Sequence, residues 1–211
     1  MPNDLEKLLD EMVTKEIGKH LFNFQKYRLA RCGNKHLYSL FKEPASKLVC
    51  QFLLHVVNDE RNLAEKMLKR DPGLLLEEGT VTDCSRRRVK GTAFRLAIAA
   101  ENNDMWEMIE NYFKLLSNGE EEKKKQFNAQ FPNGVKDAPC AFDFTPLFNA
   151  IKHDKFDNYH PNDKTEKELK KFRDYFTPKA SDVITTGKHF NMNALMKVFE
   201  YDQKFNLNLR D

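Results

Sequence analysis

Apolar residues recur every three or four positions along most of this chain, which is the pattern of helices that bury one face. Residues 46–57 show it most regularly, with Leu48, Val49 and Phe52 on one stripe. The same pattern predicts helices over residues 4–17, 22–31, 36–41, 46–57, 63–68, 92–100, 104–113, 145–151, 167–176 and 191–205. We expect Glu43-Pro44 to end the third of these, because proline disfavours the helical conformation of the residue before it.

Very short polar segments connect several of these helices. Asn58-Asp59 separates two of them, and Glu101-Asn102-Asn103 separates two more. Helices joined so tightly pack as antiparallel hairpins, so the sequence predicts an all-α fold of stacked helix hairpins. We divide the chain into an N-terminal helical extension or cap over residues 1–44 and a helical repeat region over residues 45–211, with insertions at 114–144 and 157–190.

The composition narrows the class of protein. The 211 residues are 40% hydrophobic and 32% charged, which indicates a soluble globular chain rather than a disordered one. The net charge of +3, from 35 basic and 32 acidic residues, is too balanced to favour nucleic acid as a partner. No apolar run approaches the roughly 20 residues that a membrane-spanning helix needs. The chain opens without a signal peptide, so we expect a cytosolic protein with reduced cysteines.

Two segments share a short motif, TAFRLA at residues 92–97 and TPLFNA at residues 145–150. Threonine can cap a helix by accepting a hydrogen bond from a free amide, and proline suits the first helical position. The motif resembles the Thr-Pro-Leu-His-x-Ala signature of the ankyrin repeat, and after Thr92 the match continues without gaps through Ile109. Residues 46–72 resemble a weaker unit, in which Gln51 stands where threonine is usual.

The resemblance has departures that place it among divergent ankyrin proteins. Glu101 and Asp154 stand where the family has a glycine between its two helices, and a long insertion separates Thr92 from Thr145. Such units, in a chain rich in lysine, asparagine and phenylalanine, are similar to those of effectors that intracellular bacteria such as Legionella and Coxiella deliver into host cells. The resemblance implies an ankyrin-like solenoid that binds a host protein. It also implies a protein that is cytosolic in the producing cell and translocated into the host cytoplasm.

The resemblance also implies where a partner would bind, on the first helices of the stack and on the hairpin before a repeat. A basic loop, residues 86–90, precedes the unit that begins at Thr92, and its charge suits a phosphoinositide or an acidic protein surface. An ordinary solvated loop is the alternative, since the acidic residues at 77, 78 and 83 would partly cancel its field. The predicted binding residues are Arg86, Arg87, Arg88 and Lys90 of the basic loop, and Arg95, Phe148 and Asn149 of the first helices.

Two further positions of the motif have a structural interpretation. Arg95 and Phe148 stand at its histidine position, so a role in the turns between units is the alternative to partner binding for them. Trp106, the only tryptophan, matches a core position of the second helix of its unit. We therefore expect Trp106 to be packed in the core.

No motif of a known catalytic or cofactor site is present. The chain has no phosphate-binding glycine loop, no nucleophile elbow and no zincin helix. His153, Asp154, Asp157 and His160 match no metal-binding spacing, and a polar insertion explains them better, so neither a metal nor a cofactor is predicted. Two alternatives to a binding module stay open: an enzyme of unrecognised family, possibly dependent on a cysteine, and the regulatory N-terminal part of a longer protein.

Overall fold

A computed structural model describes residues 8, 10–136, 138, 142–154, 161–175, 177, 182–189 and 191. Helices dominate this part of the chain, which confirms the mainly helical class predicted from the sequence. The α-helices are α1 Asn23–Arg31, α2 Lys35–Val57, α3 Arg61–Arg70, α4 Ala93–Ala99, α5 Asn103–Phe113, α6 Gly119–Gln130, α7 Thr145–Lys152 and α8 Asp163–Tyr175. Shorter helical segments cover Met12–Ile17, Gly18–His20 and Pro72–Leu76. The predicted helix over 191–205 lies outside the described residues, apart from Asn191.

Two helix hairpins stack side by side. The first consists of α2 and α3 and the second of α4 and α5, and α2 packs on α4 while α3 packs on α5. Apolar side chains from all four helices share one buried core, which includes Phe52, Leu53, Val56, Ala64, Leu68, Leu96, Met105 and Ile109. Burial of this surface, at roughly 25 cal/mol per Å², is the main force that joins the hairpins. The predicted stacking of residues 46–72 on residues 92–113 is confirmed, whereas an ankyrin-like solenoid stays a prediction.

The turns of the two hairpins are built alike. Asp59 and Glu101 each follow the first helix of a pair and have positive φ angles of 58° and 50°, in the left-handed region that glycine prefers. Glu101 is the residue that stands at the inter-helix glycine position of the ankyrin motif. The side chain of Asn102 donates a hydrogen bond to Asp59 Oδ1 at 2.8 Å and accepts one from the amide of Met105 at 3.2 Å. One asparagine therefore caps α5 and ties the two turns together.

Helix α2 continues past Pro44, so the helix end predicted at Glu43-Pro44 is wrong. A proline inside a helix costs about 3 kcal/mol, because it removes a backbone hydrogen bond and crowds the preceding turn. Buried residues on both sides of it, Phe41 before and Ala45 and Leu48 after, hold the two parts of the helix on the same core. The predicted boundary between residues 44 and 45 falls inside this helix, and the division of the chain into two regions stays a prediction.

A small sheet accompanies the helices, so the all-α prediction is only partly right. Strand β1 Gly79–Thr82 pairs antiparallel with β2 Arg88–Gly91, and β3 Val183–Ile184 pairs parallel with β2, with Val183 opposite Arg88. Residues 182–189, called the strap below, continue from β3 to the helices. The amide of Gly187 donates to the carbonyl of Gln130, and the amide of His189 donates to the carbonyl of Ala99, both at 2.9 Å. The strap thus ties the sheet to α4 and α6.

Continuation of the stack through the third unit predicted from Thr145 stays a prediction. Helix α6 packs on α4 and α5, whereas the main packing partner of α7 is α8. Thr92 does cap α4, since its side chain accepts a hydrogen bond from the amide of Arg95 at 3.4 Å. Thr145, however, is the first residue of α7, and Asp143 accepts the hydrogen bond from its amide at 2.9 Å. The cap predicted at Thr145 is therefore wrong.

We expect the substitution Asn102→Ala to lower the free energy of unfolding by about 2 kcal/mol, because it removes a helix cap and the bond between the turns. Urea unfolding followed by circular dichroism measures this loss. The control is Asn118→Ala, at the N-cap of α6, where the side chain makes no capping bond and the expected loss is below about 0.5 kcal/mol. Equal losses at the two positions would contradict the role assigned to Asn102.

Candidate functional site

The predicted basic loop does not present Arg87 to solvent. Arg87 is 2% exposed, and its guanidinium pairs with Asp83 at 3.0 Å. The guanidinium also donates hydrogen bonds to Ser85 Oγ at 2.7 Å and to the Tyr175 hydroxyl at 2.8 Å. Arg86 and Arg88 are exposed on either side, and Arg86 has a φ of 64° in the hairpin turn. Arg87 therefore connects the β-hairpin of β1 and β2 to α8. Of these three arginines, only Arg86 and Arg88 are exposed to solvent.

Arg95 is also bound inside the protein. It donates hydrogen bonds to Glu78 at 2.7 Å, to Gln130 at 3.2 Å and to the Thr185 carbonyl at 2.6 Å. Lys90 of the basic loop pairs with the same Glu78 at 3.3 Å. Arg95 thus links the start of the sheet, α6 and the strap. The contact with Glu78, in the segment between the two helix hairpins, agrees with the alternative that Arg95 serves the turns between units.

Phe148 and Asn149 are accessible on α7. The Phe148 side chain is 63% exposed, and its ring stacks on Phe144 with the ring centroids 5.7 Å apart. Phe144 in turn contacts Phe142 at 4.8 Å and Phe172 at 5.9 Å between centroids. The structure therefore groups Phe148 and Asn149 with α7 and α8, and it groups the basic residues with the sheet.

Another surface has the shape of a binding site. A groove of about 680 Å³ lies along α5 and α6, with apolar walls typical of ligand and side-chain pockets of 300–1,000 Å³. We call it the aromatic groove, and its apolar lining consists of Phe94, Ile98, Trp106, Phe127, Phe131 and Val135. Phe94 and Phe131 are almost fully buried, while Phe127 is 38% and Val135 41% exposed. The floor thus belongs to the core, and the edges are open to a partner.

Local packing explains where the walls of the aromatic groove stand. Phe94 meets Phe113 edge-on at 5.3 Å, and Phe127 meets Phe131, one helical turn later, at 5.5 Å. Gly119 opens α6 so close to α5 that a Cβ at this position would collide with the carbonyl of Phe113. Only glycine therefore allows α6 to begin where it does, and this start fixes the position of the α6 wall.

Trp106 lies between the core and the aromatic groove. The side chain is half-buried, packs against the core on one side and lines the groove on the other. The indole Nε1 donates a hydrogen bond to Asn103 Oδ1 at 3.1 Å, so its polar atom is satisfied. The core position predicted for Trp106 is thus partly right.

Charged residues surround this apolar lining. Glu101 pairs with Lys188 of the strap at 2.7 Å, and Glu110 pairs with Lys123 at 2.8 Å. Lys123 also pairs with Glu120 at 2.8 Å, and hydrogen bonds to the carboxylates of Glu110 and Glu120 raise the pKa of Lys123. Lys124 is exposed at the rim and makes no ion pair with any of the described residues. The two glutamates of the lining, Glu101 and Glu110, are therefore each paired, and Lys124 is the lining lysine without an ion pair among the described residues.

The aromatic groove was not predicted from the sequence. Residues 114–144 are assigned from the sequence to an insertion, and the aromatic residues inside this insertion are therefore given no role. The spacing of Phe127 and Phe131, one helical turn apart, was the available signal of an apolar edge on that helix. Nothing in the sequence placed this edge opposite Trp106, because their contact depends on how α6 docks.

The chain has no significant match among protein-family models, curated proteins or solved structures. Among the residues that the structure describes, no helix is both long and apolar enough to cross a bilayer. Over the same residues, no group of three or more His, Cys, Asp or Glu side chains converges as a metal site. Cys32 and Cys50 are free thiols, Cys84 is exposed, and Cys140 lies outside the described residues. The ankyrin resemblance stays a prediction from the motif.

We expect Arg87→Ala to lower the free energy of unfolding by about 3 kcal/mol, because the variant leaves the Asp83 carboxylate buried without its ion-pair partner. The control is Arg88→Ala, the exposed next residue, which begins β2, with an expected loss below about 1 kcal/mol. Urea unfolding of both variants gives the comparison. If Arg87→Ala proved as harmless as Arg88→Ala, the buried ion pair would have no structural role.

His189 closes the strap in a buried position beside Arg87 and Asp83. Burial and the positive charge of Arg87 lower the pKa of His189 to about 4, against the opposing effect of Asp83. In the unfolded chain a histidine titrates near 6.5. Between these values the unfolded state binds a proton that folded His189 does not bind. The free energy of unfolding should therefore fall as the pH is lowered through this window.

We expect His189 to account for a loss of about 3 kcal/mol in the free energy of unfolding between pH 7 and pH 4. Urea unfolding at a series of pH values measures it, and His189→Gln should show a loss smaller by this amount. The control for the substitution itself is His20→Gln, at an exposed histidine. Parallel profiles for the wild type and His189→Gln would show that His189 takes up its proton equally well in both states.

Proposed function

We propose that this protein is a module that binds another protein and that the aromatic groove is its contact surface. The observation that carries the proposal is a groove of about 680 Å³ with four aromatic residues in its lining and charged residues at its rim. Protein interfaces commonly have this arrangement, with aromatic anchors at the centre and polar groups around them. A partner side chain would bury the exposed parts of Phe127 and Val135.

The rigid surroundings of the aromatic groove support this proposal. Gln126 and Gln130 of α6 are buried and donate hydrogen bonds to the Leu75 carbonyl at 2.9 Å and the Gly187 carbonyl at 2.7 Å. These bonds hold α6 against the remainder of the stack. A wall that is already fixed loses little conformational entropy when a partner binds, which favours affinity.

A cysteine-dependent enzyme gains no support from the described residues. Cys32 and Cys84 are exposed, and the lining of the aromatic groove contains no cysteine, histidine or serine. A position as the regulatory N-terminal part of a longer protein stays an alternative. Four statements stay predictions from the sequence. They are a host protein as the partner, cytosolic localisation, delivery into a host cell, and phosphoinositide binding by Arg86, Arg88 and Lys90.

Affinity capture from cell lysates with the Phe127→Ser variant tests the groove. We expect this variant to lose the captured protein, with at least tenfold weaker binding, because the serine removes an aromatic contact from the rim. The matched control is Phe148→Ser, which changes the same residue type at an exposed position on α7. Circular dichroism of each variant verifies that its fold is kept.

The outcome separates the two surfaces. Loss of binding in Phe148→Ser alone would assign the contact to α7, as the sequence motif predicts. Equal capture by the wild type and both variants would reject the aromatic groove as the contact surface. The variant Arg86→Glu/Arg88→Glu tests the basic loop in the same assay and leaves the buried Arg87 intact.

A further inference from the structure

We propose that the occupant of the aromatic groove is an amphipathic helix of the partner, with apolar anchors on one face and a carboxylate that binds Lys124. The proposal rests on the proposed function, because it names the chemistry of the partner at the same groove. Its support comes from the length of the groove and from the charges at its rim.

The aromatic groove follows two helices along their length. On α5 the lining residues are Asn103, Trp106 and Glu110, which lie on one face over two helical turns, or about 10 Å. On α6 the lining extends from Lys123 to Phe127, and it continues to Phe131 just beyond the helix. A channel of this length between two helices suits a third helix, which would insert side chains spaced three, four and seven residues apart.

The two ends of the aromatic groove are fixed by ion pairs. At one end Glu110 of α5 meets Lys123 of α6 at 2.8 Å. At the other end Glu101, just before α5, meets Lys188 of the strap at 2.7 Å, and the strap is bonded there to Gln130. The apolar lining therefore lies between two ion pairs. An entering helix would bring its apolar face to this lining without meeting an unpaired carboxylate.

Within the lining, the three lysines outnumber the two glutamates. Lys124 lies next to Lys123 on α6 and makes no ion pair with the described part of the chain. A carboxylate on the partner would pair with Lys124, whereas a lysine or arginine there would be repelled by its ammonium group. An exposed pair of this kind contributes up to about 1 kcal/mol, which corresponds to about a fivefold change in affinity.

Trp106 provides the measurement, because it is the only tryptophan and it lines the aromatic groove. Three synthetic helical peptides without tryptophan carry the same apolar anchors at positions i, i+3, i+4 and i+7, flanked by glutamate, glutamine or lysine. Titration of the full-length protein with each peptide, followed by Trp106 fluorescence, gives the affinities. We expect the glutamate peptide to bind about two- to fivefold more tightly than the glutamine peptide, and the lysine peptide to bind most weakly.

The variant Lys124→Glu should reverse this order. The matched control is Lys125→Glu, the next residue on α6, which lies outside the groove lining and pairs with Glu122 at 3.3 Å. It should keep the wild-type order. Equal affinities of the three peptides for the wild type would overturn the role of the carboxylate while leaving the groove as a protein-binding surface. No binding of any peptide, together with unchanged capture by Phe127→Ser, would overturn the proposed function as well.

Two further ligands test the identity of the occupant. Tighter binding of dodecanoate than of the glutamate peptide would assign the aromatic groove to a small amphiphile and overturn the proposal. A peptide with the sequence of residues 191–205 tests whether this chain supplies its own ligand. If that peptide bound most tightly of all, the groove would belong to the chain itself and not to a partner.

Discussion

Helix α4 is contacted on several sides, and the remaining architecture depends on the small side chains that allow this. The helix packs on α2, α5, α6 and β2, although it is only seven residues long. Such a short helix is unstable alone and is held by its tertiary contacts. Ala93, Ala97 and Ala99 are buried on it, and their single methyl groups let the neighbouring elements approach closely. Larger residues at these positions would force the hairpins apart.

Hydrogen bonds then determine how α6 packs against α4 and its neighbours. The Thr92 hydroxyl donates to Gln126 Oε1 at 2.5 Å, and the Gln126 amide donates to the Leu75 carbonyl at 2.9 Å. Each bond contributes about 1 kcal/mol when made, but a buried polar group left without a partner costs about 1–3 kcal/mol. The penalty for misplacement therefore selects one position of α6. Because α6 carries Phe127, the same bonds set the width of the aromatic groove.

Much of the helical structure could be predicted from the period of apolar residues and from the turns. The hairpin stacking and the Thr92 cap followed from this pattern, and the left-handed Glu101 explains why the motif favours glycine there. Pro44 could not be placed correctly, since burial on both sides of it outweighs its local cost. The docking of α6 was not predictable either, because glutamines such as Gln126 are usually exposed and only the folded neighbours make them core residues.

The basic loop shows how one local assumption changed the predicted site. As a loop, residues 86–90 presented four positive charges, but in the structure β2 begins at Arg88 and its side chains alternate between the two faces. Exposed and buried residues alternate from Arg86 to Lys90, which buries Arg87 and directs Arg88 outward. If this segment had been predicted as a strand, Arg87 would have been assigned to the interior and Arg86 and Arg88 to the surface. The predicted positive surface would then have been weaker by one charge.

The strap connects the β-hairpin of β1 and β2 to the aromatic groove. The surface of the basic loop and the aromatic groove are therefore not independent. It pairs with β2 through Val183, receives a hydrogen bond from Arg95 at Thr185 and reaches the groove at Lys188. Lys188 neutralises Glu101 only while the strap lies on α4 and α6. Displacement of the strap would leave a glutamate unpaired at one end of the groove, opposite in sign to Lys124. The charge that a partner meets is therefore set partly by contacts of the sheet, at residues that the partner need not touch.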